Sequence, residues 1–271
     1  MIQDTLFSYQ QFKFLKWALA LAIICSIAYL FHQPAITPNG GTILGYTLGT
    51  IAAALIVWLM WLGVRKRQYT NGNSNLRGWV SAHIYLGLSL VVVGTLHTGF
   101  QLGWNLHTLA YVLMVLTIAS GVWGLSLYLR APKDMSDALN RQSPQELVQE
   151  ILQLDRETLK LAKLCTGRLS KGLENSLNQG IFNRRRQVCV GREPQCKTRA
   201  FTHLIADELS NRPELTELYR LQIQRMRTLT QLRRYYHLKF WMDIWLSIHV
   251  PLSFGLLAAL TAHIVAVFFY W

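Results

Sequence analysis

The sequence predicts an all-α integral membrane protein, in which five transmembrane helices are joined by a helical insert between the fourth and the fifth. Of its 271 residues, 51% are hydrophobic and only 15% are charged, which is too apolar for an ordinary soluble domain. Five stretches also approach the roughly 20 residues that a helix needs to cross a bilayer. We expect these spans at 14–31, 43–64, 79–100, 106–129 and 240–271.

Basic residues mark one side of the predicted bundle, because short connections rich in Lys and Arg stay on the cytoplasmic side. They precede the first span and fill the connection between the second and third, whereas 32–42 and 101–105 contain none. We therefore expect a bacterial inner membrane with the N-terminus inside and the C-terminus outside. The predicted domains are 1–130 with four spans, a cytoplasmic insert at 131–239, and the last span at 240–271.

The net charge of +13 has an ordinary explanation in this topology, since cytoplasmic segments of membrane proteins are enriched in basic residues. We therefore expect no nucleic acid partner. The lipid bilayer is the expected surroundings of the spans, and its anionic headgroups are one expected partner of the basic stretch in the insert. An acidic redox protein is the alternative partner for that stretch.

Four of the eight histidines lie inside the apolar spans, His83 and His97 on the third and His249 and His263 on the fifth. Each pair is fourteen residues apart, which on a helix corresponds to about 21 Å and nearly the same face. The two spans are parallel in the predicted topology. His83 therefore lies level with His249, and His97 with His263.

Two facing imidazole pairs at two depths predict two b-type haems, each with two axial histidine ligands. Polar residues hydrogen-bonded within the bundle are the ordinary alternative, although ionisable groups in membranes are usually functional. Gly87, Gly94 and Gly255 lie between the histidines and would leave room for the macrocycles, or for close helix packing. The other four histidines, His32, His107, His203 and His237, have no such partner and are left unassigned.

These four histidines resemble the ferric-reductase-like transmembrane domain that is shared with the NADPH oxidases. That family binds two haems through two histidines on each of its third and fifth helices, and 82–87 (Ala-His-Ile-Tyr-Leu-Gly) is similar to the start of its third helix. The resemblance covers the spans only. The family usually has a sixth helix and often a flavin and nicotinamide domain, and this sequence has no Gly-rich dinucleotide motif. The cytochrome b of quinol-oxidising complexes is the second resemblance.

The expected function is that of a di-haem subunit that carries electrons across the membrane, with no catalytic residue of its own. Its expected partners are other subunits of a membrane redox complex: a cytoplasmic flavin or iron-sulfur protein, an external c-type cytochrome, and a quinone. The competing class is a transition-metal or proton-coupled transporter that uses the same histidines. A membrane anchor for a soluble enzyme is a third class, but it leaves the paired histidines unexplained.

The insert shows two helical patterns. The first begins with the capping box Ser143 to Glu146, with Pro144 at the first helical position, and Gly167 is its expected end. The second begins near Pro213 and is expected to run straight into the last span. The two are expected to pack as a hairpin around a basic stretch at 170–202.

The insert also contains Cys165, Cys189, Cys196 and His203, which are a candidate zinc site. The spacing lacks the closely spaced cysteines typical of such sites, and reduced, unpaired thiols are the alternative.

Overall fold

The computed structural model describes residues 9–34, 39–68, 76–139, 142–182, 185–191 and 193–269, and all regular structure within these ranges is helical. Short 3₁₀ turns lie at Ala162–Leu164 and Pro213–Leu215. The α-helices are α1 (Lys13–Phe31), α2 (Ile43–Gln68), α3 (Leu76–Thr98), α4 (Leu106–Leu139), α5 (Pro144–Lys160), α6 (Arg168–Leu177), α7 (Arg185–Val190), α8 (Lys197–Leu209) and α9 (Thr216–Phe269).

The predicted all-α class and the five apolar helices are confirmed. Helices α1 to α4 and α9 each contain a stretch long and apolar enough to cross a membrane, and these stretches bury few of their side chains within the chain. Leu30 and Ile43, for example, are 79% and 88% exposed. Apolar surface of this extent needs lipid to cover it, which indicates a membrane protein.

The chain divides into two compact units. One comprises residues 1–123 and 247–271, here called the apolar unit, and the other comprises 124–246, the polar unit. In the apolar unit, α3 packs against both α1 and α2. The centre of that packing includes Leu48, Leu90, Val93 and Leu256, each 5% exposed or less.

Side-chain caps fix where two helices of the apolar unit begin. Thr42 Oγ1 accepts a hydrogen bond from Gly45 N (3.0 Å), and Asn105 Oδ1 accepts one from Thr108 N (2.9 Å). Such caps satisfy backbone donors that the first turn of a helix leaves without partners. Helix α3 ends at Thr98, followed by Gly99 with φ of 58°. The connection from α3 to α4 is therefore seven residues long.

The polar unit confirms the capping box and the long second helix, and corrects one detail. At the start of α5, the Ser143 side chain accepts a hydrogen bond from the backbone of Glu146, and the Glu146 side chain accepts one from the backbone of Ser143. Helix α9 runs unbroken from Thr216 to Phe269. Gly167 does not end α5, which stops at Lys160; with φ of 56°, it precedes α6. The stretch 170–202 contains helical segments with buried apolar residues such as Leu173 and Phe201, while its Lys197 and Arg199 side chains are exposed.

The predicted hairpin of α5 against α9 forms around a buried charge. The Arg225 side chain is only 1% exposed, and its Nε donates to Asp155 Oδ1 at 2.6 Å. Its Nη1 donates to Thr198 Oγ1 at 2.6 Å, which ties α8 to the same guanidinium. A buried charge is tolerated only when it is paired and hydrogen-bonded, so this group links three helices of the polar unit.

Replacing Asp155 with Asn should destabilise the polar unit by about 3 kcal/mol, because Arg225 would keep its buried charge without a counter-charge. The measurement is the rate of limited proteolysis within 144–238 on the purified full chain, with its thermal melting in detergent. Glu217→Gln is the matched control, since the Arg220–Glu217 pair on α9 is exposed and exposed pairs contribute little. Equal proteolysis rates and melting temperatures in the two variants would show that the buried ion pair stabilises the unit no more than the exposed one.

Candidate functional site

The predicted pair His83 and His249 forms one site in the apolar unit, here called the paired site. His83 lies on α3 and His249 on α9. His83 Nδ1 lies 3.1 Å from the carbonyl oxygen of Leu59 on α2. His249 Nδ1 lies 2.8 Å from Ser120 Oγ on α4. Four helices therefore contribute to this site.

The hydrogen bonds determine which nitrogen of each imidazole carries a proton. A carbonyl oxygen can only accept, so His83 Nδ1 must carry the proton that it donates to Leu59. Ser120 Oγ already donates to Thr117 O at 2.7 Å, so its lone pair accepts from His249 Nδ1. In a neutral imidazole the other nitrogen then has an available lone pair. Nε2 of His83 is thus able to bind a metal.

His97 and His263 also meet, but a third histidine joins them. The ring centroids of His97 and His263 are 6.2 Å apart, and the His107 centroid lies 5.2 Å from the first and 4.9 Å from the second. One ligand nitrogen from each lies within 4.8 Å of the others. We call this cluster the triple site.

Helix α2 holds His97 as it holds His83. The carbonyl oxygen of Gly45 accepts a hydrogen bond from His97 Nδ1 at 2.8 Å, which again leaves Nε2 for a metal. The two accepting carbonyls, at 45 and 59, are fourteen residues apart, as are the two histidines on α3. The shared spacing lets the antiparallel α2 and α3 repeat one contact at two depths.

A glycine lets α2 approach His97 this closely. A Cβ atom at Gly49 would lie 2.6 Å from His97 Cε1 and 2.9 Å from its Nδ1, closer than atoms pack. A Cβ atom at Gly40 would also lie close to this ring, 3.3 Å from Cε1. Neither was predicted from the sequence. The sequence does show small residues in the second span. It does not show which face of α2 packs against α3, and so does not identify the glycine in contact with His97.

The predicted packing glycines have other neighbours. A Cβ at Gly94 would meet Met114, at 2.7 Å from its Cε, and one at Gly87 would lie 4.0 Å from Leu59 Cδ1. Gly255 has open space around it. Gly121, which was not predicted, lies against His249, with 3.4 Å between its ideal Cβ and Cε1.

The assignment of His107 changes, since the sequence left it without a partner. Its position follows from the Asn105 cap, which places it in the first turn of α4. The seven-residue connection brings that turn to the end of α3 where His97 lies. The shortness of this connection was the signal that could have identified it.

The candidate zinc residues of the polar unit are not brought together. Among the residues that the structure describes, the side chains of the triple site form a group of three that could bind a metal, and the cysteines of the polar unit form no such group. Cys165 packs against Leu169 and its apolar neighbours, and burial raises the pKa of its thiol, which disfavours the thiolate that binds metals. Cys196 Sγ contacts Gln179 and Arg233 instead.

Comparisons with protein-family models, with known proteins and with solved structures each found no match for this chain.

Substituting Gly49 with Ala should displace the His97 ring and break its hydrogen bond to Gly45. We expect a loss of about 1–3 kcal/mol, as for other overpacked sites. Gly63→Ala, fourteen residues further along α2, meets no atom within 4 Å and should be neutral or stabilising by up to about 1 kcal/mol. Thermal unfolding of both variants in detergent measures the difference. A loss at both positions, or at neither, would contradict the close packing at Gly49.

Proposed function

We propose that the protein is a b-type membrane cytochrome, which binds haem through His83 and His249 and through His97 and His263 and carries electrons across the bilayer. The observation that carries this proposal is the hydrogen bond at Nδ1 of three of the four histidines. Metal-ligating histidines characteristically donate this second N–H to a carbonyl or similar acceptor. Three of the four side chains thus have the supporting hydrogen bond that a metal-ligating histidine typically makes.

The paired site fits a haem by the chemistry of its donors. Haem, when bound, supplies one-electron transfer. His83 and His249 would hold the iron, while Leu59 and Ser120 fix the orientation and tautomer of the two rings. Hydrogen bonding at Nδ1 also makes an imidazole a stronger electron donor to the metal. Ser120 therefore tunes the site as well as positioning it.

The triple site fits a haem less simply. The ring centroid of His107 is nearly equidistant from those of His97 and His263. It lies about 4.0 Å from the midpoint between them. The His107 side chain therefore occupies space that a haem held by His97 and His263 would need. Haem binding by His97 and His263 requires the His107 side chain to turn away.

The electron partners in this proposal are those that the sequence predicts. A flavin or iron-sulfur protein, or a quinol, exchanges electrons at one membrane face, and a c-type cytochrome at the other. The protein acts as the membrane subunit of a larger redox complex, with its N-terminus and polar unit in the cytoplasm. The similarity of the four histidines to the ferric-reductase-like domain supports the same class.

A transition-metal transporter is the second candidate, and the triple site is the observation that favours it. Three imidazoles without a carboxylate suit a transition metal. The paired site, however, contains only two histidines, each with its ring orientation fixed. A transporter does not require that arrangement.

The reduced-minus-oxidised absorption spectrum of the purified protein tests the proposal, together with the haem content per chain. We expect two b-type haems in the wild-type protein. His83→Ala and His249→Ala should remove the same spectral component, and His97→Ala and His263→Ala the other. His203→Ala, in the polar unit, is the control and should retain both.

A protein that remains colourless after expression with ample haem would overturn the cytochrome proposal and favour the transporter. Loss of both haems in the His203→Ala control would show that haem content reports folding rather than ligation.

Substituting Ser120 with Ala should retain the haem of the paired site but raise its midpoint potential. The reason is that His249 loses a hydrogen-bond acceptor at Nδ1 and donates less electron density to the iron. A spectroscopic redox titration measures the shift. Ser253→Ala on α9 is the control, because Ser253 Oγ donates to the backbone oxygen of His249. An unchanged potential would exclude a tuning role for Ser120.

A further inference from the structure

The three rings of the triple site surround a common point. The position equidistant from the three ring centroids lies about 3.2 Å from each, and a metal bound to one imidazole nitrogen at about 2.0–2.1 Å lies at that distance from the ring centre. Two opposed axial ligands of a haem would not need a third ring at this distance from the same point. The triangle therefore has the size of a mononuclear three-histidine metal site.

The types of donor atom restrict which metal ions the triple site can bind. All three donors are imidazole nitrogens, and neither a carboxylate nor a thiolate belongs to the group. Imidazole suits Zn²⁺, Cu²⁺ and Ni²⁺, whereas Mg²⁺ and Ca²⁺ require oxygen ligands. Among divalent ions of the first row, affinity for a nitrogen site is highest for Cu²⁺. Three protein ligands also leave one coordination position open.

We propose that His97, His107 and His263 bind one divalent transition-metal ion, with Cu²⁺ bound most tightly and Zn²⁺ next. His97 is oriented for this by its hydrogen bond to Gly45, and His107 is the ligand that distinguishes this site from a bis-histidine haem site. The ion and a haem would compete, because both use His97 and His263. This competition, unlike the metal site itself, rests on the proposed haem function.

The decisive experiment titrates Cu²⁺ into the purified full-length protein, prepared without added haem, and follows binding by calorimetry and by electron paramagnetic resonance. We expect one tight Cu²⁺ per chain, with splitting from several coordinated nitrogens. His107→Gln should weaken binding at least about tenfold, since even loss of a supporting group has effects of that size. His263→Gln should do the same.

His203→Gln is the matched control, and it removes a histidine of the polar unit without touching the triple site. Affinity should fall on acidification, because a protonated imidazole cannot bind a metal. Wild-type affinity in both His107→Gln and His263→Gln would overturn the proposal.

The same samples separate failure of this inference from failure of the haem function. Haem reconstitution in the presence of Zn²⁺ should give about one haem per chain in the wild-type protein and two in His107→Gln. If neither binds haem but Cu²⁺ binds as described, the metal site holds and the cytochrome proposal fails. If Zn²⁺ leaves two haems in the wild-type protein, competition at the triple site is wrong.

Discussion

The hydrogen bonds from His83 and His97 to carbonyl oxygens of α2 set the geometry on which the apolar unit depends. An imidazole in apolar surroundings has two polar nitrogens, and burying either one without a partner is costly. A helix carbonyl already accepts from the amide four residues later, but it has a second lone pair. The Leu59 and Gly45 carbonyls use that lone pair to satisfy one nitrogen of each ring. The register of α2 against α3 is thereby tied to the register of the histidines, and the other nitrogen of each ring remains for a metal.

The sequence was sufficient for features that depend on composition or on local spacing. Apolar stretches of membrane length, the fourteen-residue repeat of histidines and the Ser143 capping box all follow from rules that act within one helix. His107 was missed because its role depends on which residues a short connection brings together. The glycine at 49 was missed for a related reason, since Gly63 repeats it in sequence but not in packing. Which small residue makes a close approach depends on the neighbouring helix.

The polar unit shows a similar limit for charge. A basic composition in such an insert predicts an exposed surface, yet Arg225 and Arg233 are 1% and 5% exposed. Arg225 is offset by Asp155, whereas Arg233 donates to the carbonyl oxygen of Ile181 and to Cys196 Sγ. The net charge of the sequence does not distinguish these two buried arginines from basic residues that face solvent. Part of the positive charge therefore stabilises contacts among α5, α8 and α9 and is not available to a lipid headgroup or an acidic partner.

The two histidine sites differ in how firmly their ligands are held, and this difference bears on their chemistry. The paired site draws on positions within α3, α4 and α9, and each of its histidines is hydrogen-bonded by a neighbouring helix. The triple site lies where helices begin and end: His97 is in the last turn of α3 and His107 in the first turn of α4. Helix ends fray and open at lower free energy than helix centres. On the two proposals, a change between a metal ion bound by three histidines and a haem bound by two should therefore cost less at the triple site than at the paired site. The proposed exchange of ligands thus belongs where the helices end, and a lasting cofactor belongs where the ligands lie within helices.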